Sequence, residues 1–103
     1  MAWFGSYEVR ATPESEIFAD DVYGAFVNVV VNCQTDTEFR EKASQALIDD
    51  QYDILAVEDV MEIDLADTGL SANENNLIMG QLTAGNKVAY GQFQTYPKEG
   101  LDA

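Results

Sequence analysis

Residues 24–33, GAFVNVVVNC, constrain the fold more than any other stretch of the chain. Alternation puts Ala25, Val27, Val29, Val31 and Cys33 on one face of a strand and Phe26, Asn28, Val30 and Asn32 on the other. The first set is wholly apolar and is predicted to face a core. A helix signal follows at once. Thr35 with Glu38 three residues on has the spacing of a capping box. Phe39, Ala43, Ala46 and Leu47 then recur at i, i+4, i+7 and i+8, opposite Glu38, Glu41, Lys42 and Asp49. A stripe this narrow and small-sided needs a sheet to lie on, so the chain belongs to the α+β class.

The remaining segments extend that unit. Residues 3–11, WFGSYEVRA, form a strand with Trp3, Tyr7 and Val9 on one face, closed by Thr12-Pro13 because the residue before proline is pushed out of helix. An acidic connection follows over residues 13–23, anchored by Ile17 and Phe18. Residues 52–66 read as a long strand, with Leu55, Val57, Met61, Ile63 and Leu65 in alternation and a bend or bulge near Glu58-Asp59. Its other face ends in Glu58, Glu62 and Asp64. Ser71 and Glu74 repeat the cap spacing ahead of Leu77, Ile78 and Leu82, with Gly85 placed as a C′ glycine, giving a short helix. Residues 87–96 form the last strand, ended by Pro97.

The predicted order is β-β-α-β-α-β: a two-layer α+β sandwich with a sheet of about four strands and two helices on one face. If Glu58-Asp59 is instead a turn between two strands, the arrangement becomes ferredoxin-like βαββαβ with an extra N-terminal strand. That turn lacks Gly or Asn, which ranks it second. The expectation is one domain over residues 1–96, followed by a flexible tail over residues 97–103.

Charge and residue types bound the function. Nineteen Asp and Glu against five Lys and Arg give −14, which repels nucleic acid and anionic membranes. There is no histidine, so Ser-His and Cys-His catalysis lack their proton shuttle, and one cysteine supplies neither an internal disulfide nor a Cys/His zinc site. An enzyme is not expected, nor a cofactor or metal. The chain opens without a signal-peptide pattern and no segment approaches the roughly 20 apolar residues of a membrane span, so a soluble cytoplasmic protein is expected.

Two motifs need weighing. Cys33 lies near the positive end of a helix, where a thiolate is stabilised, yet it shares parity with three core valines and has no histidine beside it; the core role is expected. MEIDLADTG superficially suggests a calcium loop, but counting from Asp64 leaves Ala66 and Thr68 at ligand positions and only Gly69 in place. Glu62, Asp64 and Asp67 are read as a solvated acidic face rather than a divalent-ion site.

The functional expectation therefore rests on charge and aromatics. Trp3, Tyr7, Phe26, Tyr90 and Tyr96 lie on strands, and rings on an uncovered sheet face would anchor an interface. The expected partner-binding residues are Glu58, Asp59, Glu62, Asp64, Asp67, Trp3, Tyr7 and Tyr90. They would dock on a basic protein, as immunity proteins and nucleic-acid-mimicking inhibitors do, an analogy of charge and size alone. The alternative is a small-molecule-binding or regulatory domain acting as a homodimer through its sheet.

Overall fold

Two strands in unbroken register make the centre of the sheet. β1 (Ala2–Arg10) and β2 (Val22–Val31) pair antiparallel from Trp3↔Val31 to Arg10↔Gly24 without a shift. The structure is a computed structural model and describes residues 2–15 and 22–97. Ile17 and Phe18, with Glu16, Asp20 and Asp21, lie outside the described residues, as do tail residues 98–103.

After β2 come α1 (Asp36–Asp49), β3 (Asp53–Ile63), α2 (Ala72–Thr83), β4 (Val88–Tyr90) and β5 (Gln94–Pro97). The sheet is antiparallel throughout, in the order β3-β1-β2-β4, with β5 paired to the other end of β2. The α+β class and the element order are as expected. The last strand is divided, however. Pairing moves by one residue between Val29↔Tyr90 and Phe26↔Gln94: Gly91 N–H still donates to Asn28 O at 2.8 Å, and residues 92–93 leave the ladder. No helix among the described residues is long and apolar enough to cross a membrane.

α1 forms where its cap and stripe require. Thr35 Oγ1 accepts the Glu38 N–H at 3.1 Å, while Glu38 Oε1 accepts from Gln34 N–H rather than closing the box on Thr35. Phe39, Ala43 and Leu47 are buried on the face formed by Tyr7, Val9, Ala25, Val27, Val29 and Val31. Phe39 and Leu47 each stabilise the fold by roughly 1.5–3 kcal/mol through that burial. Phe39 can sit this close because Gly5 has no side chain: a Cβ there would lie 2.8 Å from the ring and 3.3 Å from Val60 Cγ2.

β3 runs through Glu58-Asp59 as one strand, so the ferredoxin-like alternative is not adopted. The expected bulge is there instead. Phe4 faces Met61 and Ser6 faces Glu58, so Asp59 and Val60 together stand opposite Gly5, and Asp59 takes the left-handed conformation at φ 57°. A second extra residue, Leu55, lies between the pairs Glu8↔Ala56 and Val9↔Ile54. Each insertion moves the following side chains to the other face. Ile54, Val57 and Val60, three residues apart, therefore all pack toward α1.

The second helix lies elsewhere than expected. Ile78 of α2 is buried with Ala2, Val30 and Ala89, and Phe4↔Val30↔Ala89 is a row on the face opposite α1. The sandwich expected of both helices is thus made by the sheet and α1, with α2 against the other side of β4. The reason is in the connections. β2 and β3 are parallel to each other across β1, so the α1 connection is a crossover of the kind to which the handedness rule applies. β3 and β4 are antiparallel, and this connection moves back across the sheet, so the condition for a shared face is not met. α2 is fixed by Ser71 Oγ accepting the Glu74 N–H at 3.3 Å and by a Schellman end. Gly85 at φ 100° donates to Leu82 O, and Asn86 N–H to Gln81 O. Gln81 also closes the outer edge of β4, donating to Tyr90 O at 2.6 Å and accepting from Tyr90 N–H at 2.9 Å.

The bulge yields a test with opposite signs. Asp59→Val should lower stability by about 1–2 kcal/mol, because a β-branched residue is forced to positive φ. Asp59→Gly should leave stability unchanged or raise it. Denaturation midpoints in the reverse order, as a regular strand would give, would disprove the bulge.

Candidate functional site at the end of α1

α1 ends on Asp49 and Asp50, and the chain then reverses through Gln51 at φ 72°. Gln51 N–H donates to Ile48 O and Tyr52 N–H to Leu47 O, each at 3.0 Å, a Schellman closure without glycine. This turn buries Tyr52 beneath the helix end. There its ring stacks on Phe93, with centroids 5.2 Å apart, and Phe93 meets Tyr90 edge-on at 5.8 Å. Phe93 reaches the group because residues 92–93 have left the ladder. The Tyr90 hydroxyl donates to Asp50 Oδ2 at 3.0 Å. Burial, followed by the Asp50 charge, pushes the Tyr90 pKa up, so the phenol stays protonated and remains the donor.

Glu14, Asp49, Asp50, Gln51 and the three rings enclose a pocket of about 390 Å³. A groove on one side shares Glu14, Gln51 and Tyr52 and runs past Arg10 and Asp53; a hollow on the other shares Asp49, Asp50 and Tyr90 and runs to Gln81 and Asn86. The charged residues lining the central pocket itself are all acidic. The last turn of α1 carries no basic residue, so its outward carbonyls add to the carboxylates of Asp49 and Asp50. The arrangement is an apolar, ring-lined floor under a negative rim.

Of the residues expected from sequence to bind a partner, Tyr90 alone lies in this pocket. Tyr7 is 1% exposed and belongs to the core against Phe39, so its ring is not available for contact. Trp3, on the same face of β1, packs partly buried against that core. The acidic stripe is not one stripe. Glu58 pairs with Ser6 and Glu62 with Trp3, residues of opposite faces, because the bulge at Asp59 lies between them. Asp64 and Asp67 close a turn: Asp67 N–H donates to Asp64 O, and Asp64 Oδ1 accepts Ala66 N–H at 2.9 Å. Among the described residues no three acidic or cysteine side chains are grouped to hold a metal ion.

Phe26 and Tyr96 do reach the face away from α1. Their centroids are 5.4 Å apart, and the Tyr96 hydroxyl donates to Glu8. Phe26 and Met61 stay 49% and 47% exposed there. Cys33 is 5% exposed, and its thiol donates to Thr35 O at 3.6 Å. Burial first, then the Glu38 charge, push its pKa above the ordinary thiol value, against the helix-end effect. Tyr52 and Phe93 were missed in the sequence because each reads as a strand residue. The usable signal was the run DDQYD at residues 49–53, an acidic helix end with no glycine.

No family model, curated protein or solved structure matches the chain.

For Cys33 the expected outcome is slow, substoichiometric labelling by a thiol reagent at neutral pH in the native state, and full labelling in denaturant. Rapid native labelling would contradict its place under α1.

Proposed function

We propose that this chain is an acidic protein-binding module that docks on a basic surface of another protein, in the manner of an inhibitor or immunity protein. The observation that carries the reading is uncompensated charge. Of five cations, Arg10, Arg40 and Lys42 are already paired with Asp53, Asp36 and Glu38 of the same chain, against a net −14. A field of this size accelerates encounter with a cationic partner and disfavours self-association. Asp53, Glu58, Asp59 and Glu62 lie along β3, the edge strand beside β1, where they also oppose strand-to-strand pairing between copies. The exposed Phe26 and Met61 favour a homodimer through the open sheet face as the second reading. Glu8 and Glu58 share that face, and a two-fold contact there would bring like charges together.

The test is association kinetics with the partner captured from source cells. Native protein should associate faster at low salt, and raising ionic strength from about 0.05 to 0.5 M should slow it by at least about tenfold. Replacing Glu58, Glu62 and Asp64 with Gln, Gln and Asn should slow low-salt association while changing dissociation less. Rates indifferent to salt and to the substitutions would remove the electrostatic reading, and a homodimer with no basic partner would favour the second.

A further inference from the structure

We propose that the pocket at the end of α1 takes the side chain of a single arginine presented by the partner, a proposal that deepens the reading above and rests on it. Four features of the pocket together select this occupant. Its floor is aromatic: the partly exposed rings of Phe93 and Tyr90 meet edge-on, and the buried ring of Tyr52 backs Phe93 from beneath. Aromatic rings attract cations through their quadrupole, and a guanidinium plane stacks on them more readily than an ammonium does. Its rim carries Glu14, Asp49 and Asp50, and Asp50 is already held in place by the Tyr90 hydroxyl, so one carboxylate is oriented before any ligand arrives. The C-terminal pole of α1 points the same way in sign. A volume of about 390 Å³ lies within the roughly 300–1,000 Å³ of small-ligand sites, and the adjoining grooves leave room for the backbone on either side of one inserted residue.

Arginine is favoured over lysine because the site offers stacking and adjacent carboxylates together. A planar fork uses both, whereas an ammonium uses a point of charge.

The experiment titrates the whole chain with acetyl-arginine methylamide, acetyl-lysine methylamide and acetyl-citrulline methylamide, following backbone and ring resonances by NMR. Citrulline keeps the shape of arginine and lacks its charge. Saturable shifts centred on Asp50, Tyr90 and Phe93 are expected for arginine, with lysine weaker and citrulline weaker by at least about tenfold. Asp50→Asn, which can still accept from Tyr90, and the exposed change Asp49→Asn should each weaken arginine binding several-fold with the fold intact by circular dichroism. Phe93→Leu should weaken it as well. Equal binding of arginine and citrulline, or shifts spread over Glu58 and Asp59 instead, would overturn the pocket. The two proposals fail separately. Arginine binding without any basic protein partner would sink the docking reading alone, while unchanged partner affinity in Asp50→Asn and Phe93→Leu would sink the arginine pocket alone.

Discussion

The packing of this protein depends on one meeting point, where Gly5 of β1, the Asp59-Val60 insertion of β3 and the ring of Phe39 come together. β1 keeps a regular ladder with β2 on one side and accommodates two extra residues of β3 on the other. Side chains alternate with period two, so each extra residue reassigns every following side chain to the other face. That reassignment brings Val60 beside Phe39 and puts Ile54 and Val57 under α1. A side chain at Gly5 would displace the ring that joins helix to sheet. The helix, the core and the distribution of charge on β3 all follow from this local irregularity.

The parts of the fold governed by short-range rules were legible. The alternation of residues 25–33, the Thr35 and Ser71 caps and the Gly85 terminus depend on neighbours within four residues, and each is in place. The bulge at Glu58-Asp59 was legible as a position but not as a flip, so Glu58 and Glu62 were expected on one face. The insertion at Leu55 carries no local mark, since Leu continues an apolar run. The face taken by α2 depends on whether β3 and β4 are parallel, which is a property of the finished sheet. The pocket was the least legible feature. Tyr52, Phe93 and Asp50 come from separate elements, and the one local mark near Phe93, the isolated Gly91, signals a break in the strand without saying where the ring goes.

Negative charge is not equally explicable everywhere. Along β3 it guards an exposed edge, and the pairs Arg10–Asp53, Arg40–Asp36 and Lys42–Glu38 are solvent-exposed and each worth little. At the end of α1 the return is confined to two hydrogen bonds, Gln45 Nε2 donating to Asp49 Oδ1 at 2.8 Å and the Tyr90 hydroxyl to Asp50 Oδ2 at 3.0 Å. Asp49 and Asp50 sit at the negative pole of a helix, with Glu14 across a pocket floored by rings, an arrangement that opposes folding on electrostatic grounds. An amide oxygen could accept either bond, so it is the charge itself that breaks the local rule, as at places shaped by something other than stability.

This helix end holds its charge at the expense of the fold. The most direct measurement is urea denaturation of the native chain and Asp49→Lys at low salt and at high salt. Reversing one charge at the C-terminal turn should raise stability by about 0.5–1 kcal/mol at low salt, and the advantage should shrink as salt screens it. A lower midpoint for Asp49→Lys at low salt would contradict the account, since Asp49 would then be contributing to the fold it is argued to strain.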